Sequence, residues 1–96
     1  MVGDTVPQIL DMNDPTRKKL SFRAWHRGTR EADLLMGRFA EHFLPTASED
    51  DVGLFGELLA ENDPDIFDWL TGKEAMPDRS FTPLLVRMQE FYKTVS

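Results

Sequence analysis

Apolar side chains recur along this chain with the period of a helix. From Thr29 to Leu44, Ala32, Leu35, Phe39 and Phe43 follow one another at spacings of three and four, with Met36 beside them and charges between. Such a stripe predicts an amphipathic helix that Pro45 stops. Leu20 and Ala24, one turn apart, give a narrower stripe after Asp14-Pro15, which reads as a cap followed by proline at the first helical position. This first helix runs to about Trp25, with Gly28 ending it. Ser48, with Asp51 three residues later, resembles a capping box ahead of a third stripe of Val52, Phe55, Leu58 and Leu59. Asp63-Pro64 repeats the cap-plus-proline start for a short helix bearing Ile66, Phe67, Trp69 and Leu70, which Gly72 can end in a left-handed conformation. Residues 73 to 80 read as a polar loop. Thr82-Pro83 opens a last helix with Leu84, Leu85, Met88, Phe91, Tyr92 and Val95 on one face. Alternation of period two nowhere lasts the length of a strand. The prediction is an all-α, compact five-helix bundle in a single domain over residues 14–96, preceded by a loosely held arm over 1–13, where Gly3, Pro7 and Asn13 stand among scattered apolar residues.

Length and charge narrow the functions open to such a bundle. The chain has 96 residues and 41% hydrophobic content, enough for one modest core and poor material for a deep enclosed pocket. A net charge of -6, from 17 acidic and 11 basic residues, opposes binding to a phosphate backbone. The positive charge is concentrated in Arg17, Lys18, Lys19, Arg23, Arg27 and Arg30, while Glu49 to Asp68 contains no basic residue. A local basic patch on an acidic protein points to a protein partner of complementary charge. The absence of cysteine removes disulfides, thiolate metal sites and cysteine nucleophiles, and suits a reducing compartment. No apolar run approaches the ~20 residues of a membrane span, and the first dozen residues carry neither a basic n-region nor an arginine-rich amphipathic face. The expectation is a bacterial cytoplasmic protein with no membrane partner, with the mitochondrial matrix as the alternative.

A catalytic constellation is not evident. His26 and His42 fall on different predicted helices, and neither has a carboxylate or second histidine three or four residues away. Glu41 adjoins His42, but neighbouring helical residues point about 100 degrees apart and cannot grip one ion. Gly53-Leu54-Phe55-Gly56 lacks the strand and third glycine of a dinucleotide fingerprint. Nearly all of the Met, Phe and Trp residues lie on the helical stripes and read as core. Trp25 and Trp69, near helix ends, suit either partly buried corners or partner-binding anchors. The expectation is a non-enzyme with no catalytic, metal or cofactor-binding residues.

The segment that breaks the bland pattern is Ala24-Trp25-His26-Arg27-Gly28-Thr29-Arg30-Glu31-Ala32-Asp33-Leu34-Leu35. Arginines 23, 27 and 30 and the carboxylates of Glu31 and Asp33 crowd around one glycine. One reading is local: Gly28 separates two helices and Glu31 caps the second, where a carboxylate in the first turn gains about 0.3–1 kcal/mol from the helix dipole. The other follows from resemblance. Arg27-Gly28-Thr29-Arg30-Glu31, followed by Asp33 and an apolar run, resembles the RGxxE signature of the succinate dehydrogenase flavinylation factors, the FAD assembly factors of bacterial type. Asp63-Pro64-Asp65-Ile66-Phe67-Asp68-Trp69-Leu70 resembles their acidic Asp-Pro-Asp-hydrophobic-Phe-x-Trp-Leu segment. The resemblance covers about residues 14 to 95 and agrees with five helices.

The resemblance implies an assembly factor that binds the flavoprotein subunit of succinate dehydrogenase, and of fumarate reductase in many members, and promotes covalent attachment of FAD to a histidine of that subunit. The factor would hold no cofactor stably, would be a monomer when free, and would leave the chemistry to its client. Arg27, Gly28 and Glu31 would form the contact surface, with Arg30 and Asp33 supporting it. Three rivals stay open: a generic helical adaptor with another client, a helix-turn-helix DNA-binding regulator using Arg23 to Arg30 on phosphates, and a small hydrolase or metalloenzyme.

Overall fold

The computed structural model describes residues 14–95, so the arm expected over 1–13 lies outside the described residues. Among the described residues five α-helices follow one another, α1 (Pro15–Trp25), α2 (Arg30–Phe43), α3 (Glu49–Leu59), α4 (Asp63–Thr71) and α5 (Thr82–Val95), with a 3-10 turn, Leu44–Thr46, after α2. No described residue is in a strand. The all-α class and the count of five helices are those predicted from the apolar spacing. The chain divides into two compact units, one ending at Val52 and one beginning at Gly53, with the division inside α3.

In the first unit, local chemistry sets the helix ends. The Asp14 carboxylate accepts from the Thr16 N–H at 3.0 Å, which satisfies one amide orphaned at the start of α1. Proline follows at the first position. The helix ends at Trp25, ahead of Gly28, and His26 is its C-cap, donating its N–H to the Arg23 carbonyl at 3.3 Å. At the far end of α2, Pro45 cannot donate to the ladder, and the chain tightens into this 3-10 turn.

Helix α1 packs against α2, and the buried hydrophobic residues of the two are Leu20 and Ala24 of the first and Ala32, Met36, Phe39, Ala40 and Phe43 of the second. Leu35, expected in that stripe, is only half-buried, and the buried surface of α2 is completed instead by Gly37 and Ala40. Phe39 and Phe43 stack with centroids 5.2 Å apart. Arg17 is only 6% exposed. It is tolerated because its guanidinium Nη1 donates to the Leu44 carbonyl and its Nε lies 3.4 Å from the Asp14 carboxylate. A cation thereby closes the C-terminal end of α2, where the helix dipole favours positive charge.

In the second unit, α4 is capped by Asn62, whose side chain accepts from the Asp65 N–H at 3.1 Å. The expected cap, Asp63, is instead the first helical residue, because the Asn62 side chain, one position earlier, already meets the free Asp65 amide. Gly72 ends α4 in the left-handed region at φ 83°, as its position predicted. Ile66 alone on α4 is fully buried, while Phe67, Trp69 and Leu70 are half-buried. Leu84, Leu85 and Met88 of α5 are buried, Phe91 and Tyr92 meet edge-on at 4.8 Å, and the Val95 side chain lies outside the described ones. Gln89 donates its side-chain amide to the Leu70 carbonyl at 3.1 Å, joining α5 to the C-terminal end of α4.

The loop over 73–80 is polar but tied down. Arg79 pairs with Glu61 at 2.9 Å and lies 4.8 Å above the Phe81 ring, while Ser80 donates to Glu57. The Thr82 hydroxyl accepts from the Arg79 N–H at 3.1 Å and donates to the Pro77 carbonyl at 2.5 Å.

Candidate functional site

The connection from α1 to α2 spans His26 to Thr29, and its conformation follows from three residues. Gly28 sits at φ 119°, a region that side chains bearing a Cβ rarely adopt, so glycine turns the chain here without strain. Thr29 is the N-cap of α2, its hydroxyl accepting from the Ala32 N–H at 3.2 Å. Asp33, one turn into the helix, reaches back: one carboxylate oxygen accepts from the Arg27 N–H at 2.5 Å and the Gly28 N–H at 3.2 Å. Two successive amides converging on one carboxylate make the connection a closed turn.

This division of labour corrects the local reading of Glu31 as the helix cap. Thr29 and Asp33 carry out the capping, because the Thr29 hydroxyl already occupies the Ala32 amide and the loop amides face Asp33. Glu31 lies in the first turn of α2 with its side chain exposed. Its carboxylate gains from the helix dipole but is not needed to close the turn.

The five residues singled out from the sequence thus lie together on this connection and the first turn of α2. Arg30 and Glu31 are exposed, Arg27 and Asp33 half-buried. Gly28 is exposed, and a Cβ built on it would meet nothing within 4 Å. Four of the five therefore present side chain or open backbone at the surface, and the fifth, Asp33, holds the backbone that presents them.

Beside the motif lies an open depression of about 600 Å³, lined by Trp25, His26, Gly28, Thr29, Arg30, Asp33 and Leu34. Its shape depends on a close contact that sequence spacing did not reveal. A Cβ on Gly37 would fall 2.2, 2.4 and 2.5 Å from ring carbons Cδ2, Cε2 and Cε3 of Trp25. Ordinary carbon contacts are about 3.5–4.0 Å, so the indole lies against bare backbone where only glycine fits. Trp25 is half-buried, one of the two outcomes its place at a helix end allowed. The signal that could have found the pair was a glycine in the middle of the strongest amphipathic helix, a position unfavourable by about 1 kcal/mol relative to alanine unless something packs on it.

His26 is also fixed. Its Nδ1 lies 2.7 Å from the Phe22 carbonyl, and its ring stacks on the Phe22 ring with centroids 3.9 Å apart and planes 16° apart. Among the described residues no group of three or more His, Cys, Asp and Glu side chains gathers to hold a metal ion. Among them, too, no helix is long and apolar enough to cross a membrane.

Comparison with known proteins adds a family. The model of a family described as flavinator of succinate dehydrogenase matches residues 18–92. An FAD assembly factor SdhE of Acetobacter pasteurianus is 40% identical over 74 residues, covering 77% of this chain and 68% of that protein. Its counterpart in Xylella fastidiosa is 39% identical over 71 residues, covering 74% and 72%. The mitochondrial succinate dehydrogenase assembly factor 2 of Dictyostelium discoideum is 36% identical over 77 residues, or 80% of this chain and 55% of that protein. The chain spans about half the length of several such mitochondrial relatives. No solved structure matches it.

Proposed function

The chain belongs to the family of flavinators of succinate dehydrogenase, matched from residue 18 to residue 92, and from that membership we propose that it is an assembly factor for the succinate dehydrogenase flavoprotein subunit. It binds that subunit and promotes covalent attachment of FAD to it. The observation that carries the site is the division of labour at the α1–α2 turn. Thr29 and Asp33 close the turn, while Gly28 and Glu31 face outward and contribute nothing to the core.

In this reading Arg27, Gly28 and Glu31 form the contact surface, with Arg30 beside them and Asp33 behind. Gly28 admits the client's backbone, since no atom of this chain stands where its side chain would be. Arg27, Arg30 and Glu31 offer charged hydrogen bonds of both signs, which orient a docked surface. The factor acts by differential binding: it docks better on the attachment-competent conformation of the flavoprotein and raises its population. The covalent bond forms between the flavin and the client's own histidine, so the factor is not a catalyst and holds no cofactor of its own. Fumarate reductase, whose flavoprotein subunit presents the same task, is a second client. The compartment of this reading is the bacterial cytoplasm, in keeping with relatives from bacteria, with the mitochondrial matrix as the alternative, in keeping with mitochondrial relatives. The protein is a monomer when free.

Co-expression of the chain with a succinate dehydrogenase flavoprotein subunit tests the proposal, with covalent flavin read by in-gel fluorescence after denaturation. Wild type raises the signal and Glu31→Ala does not. If wild type leaves the signal unchanged, the chain is a helical adaptor for another client. Repeating the assay with a fumarate reductase flavoprotein subunit decides the second client in the same way.

A further inference from the structure

Among the described residues, the most exposed large apolar side chain lies not in the RGxxE motif but about one turn before it. Phe22 is 63% exposed, the most of the large hydrophobic residues among the described ones. It is not a loose side chain, because His26 stacks against it and is tethered to its carbonyl. Two parallel rings therefore project as a rigid plate from the end of α1. His26 continues into the depression, whose other walls include Trp25 and Leu34, the latter itself 36% exposed. The apolar surface thus runs from Phe22 across His26 and Trp25 to Leu34, with the motif along one edge.

The charge around this surface is predominantly basic, with the exposed Glu31 of the motif the carboxylate at its edge. Lys18 and Lys19 lie one helical turn before Phe22, Arg23 follows it, and Arg30 lines the depression; all four are exposed. The one carboxylate lining the depression, Asp33, is engaged by the Arg27 and Gly28 amides. On a protein of net charge -6, this face is locally basic with an aromatic centre. Rigid aromatics flanked by arginine are the composition of interface hot spots.

We propose that the Phe22–His26 plate and the adjoining depression form a second contact region, which takes an acidic segment of the client flavoprotein carrying an aromatic or aliphatic side chain. That side chain fills the depression against Trp25 and Leu34, and the segment's carboxylates meet Lys18, Lys19, Arg23 and Arg30. The proposal rests on the assembly-factor reading and extends it: the motif sets the docking point, and this face selects the client by charge and shape.

The test is the affinity of the full chain for the unflavinylated succinate dehydrogenase flavoprotein subunit, measured by titration calorimetry at two salt concentrations. Phe22→Ser weakens binding at least tenfold with no loss of helical circular dichroism. Val86→Ser, which removes an exposed apolar side chain of α5, stays within twofold. Lys18→Glu with Lys19→Glu and Arg23→Glu weakens binding and abolishes the fall in affinity that wild type shows from low to high salt. Glu31→Ala separates the two proposals. If it weakens binding while Phe22→Ser stays within twofold, the second contact region is refuted and the motif reading stands. If wild type affinity is the same at both salt concentrations, the acidic partner is refuted. If wild type does not bind the subunit, the assembly-factor reading fails and this inference fails with it.

Discussion

Gly37→Ala sets two effects of opposite sign against each other. Alanine in a helix interior is favoured over glycine by about 1 kcal/mol, and Gly37 lies in the middle of α2. Yet the new methyl would sit 2.2 to 2.5 Å from three ring carbons of Trp25. Against an ordinary separation of about 3.5–4.0 Å, the indole must retreat by roughly 1 Å or more. It is a rigid bicycle, half-buried, and cannot swing aside as a lysine tip would. Overpacking of this kind costs about 1–3 kcal/mol, so the net effect is destabilisation of about 0–2 kcal/mol. The informative quantity is the coupling. With Trp25→Ala the obstacle is gone, and Gly37→Ala then stabilises by about 1 kcal/mol through helix propensity alone. Urea unfolding followed by far-ultraviolet circular dichroism measures all four corners of the cycle, with midpoints compared at constant slope. In a Trp69→Phe background Trp25 is the sole indole, and its emission shifts to the red as Gly37→Ala exposes it. An equal effect of Gly37→Ala with and without Trp25 would refute the close packing.

Three further perturbations address the same unit. Asp33→Ala removes the acceptor of two backbone amides, costs about 1–2 kcal/mol, and accelerates hydrogen exchange at Arg27 and Gly28, whereas Asp33→Asn keeps an acceptor oxygen and loses less. Gly28→Ala and Gly28→Arg each cost about 1–2 kcal/mol from the positive φ, the added Cβ meeting nothing within 4 Å, so thermal unfolding shifts alike for both while only arginine abolishes client binding. Arg17→Met leaves the Leu44 carbonyl without its charged donor and lowers stability by about 1.5–3 kcal/mol in chemical denaturation, a large loss for an arginine that the sequence places among surface cations.

Helix ends were legible in the sequence because their causes are short-range. The caps at Asp14, Ser48 and Gly72 and the stop at Pro45 act on amides and carbonyls within a few residues, so local residue order specifies them. Where two nearby groups compete for one amide, order alone misassigns the role by a residue or two, as with Asn62 against Asp63 and with Thr29 and Asp33 against Glu31. The place of the RGxxE motif, at the turn between the first two helices, was likewise legible, since the helical stripes on either side define the gap.

Contacts between residues far apart in the chain belong to the tertiary structure alone. Arg17 stands one turn before Leu20 on the Leu20–Ala24 stripe, unlike Lys18 and Lys19, but spacing alone does not show that an arginine there stays buried; it does so because its guanidinium meets a carbonyl 27 residues away. Phe81 stands outside every helical stripe but is buried, lying under the Arg79 guanidinium and 6.0 Å from the Trp69 ring. The seat of Trp25 on Gly37, and with it the depression beside the motif, exists only once α1 and α2 pack. Periodicity determines which side of a helix is apolar. Which backbone lies close enough to require a glycine, and which cation finds a carbonyl to bury against, is decided by the packing of one helix on another.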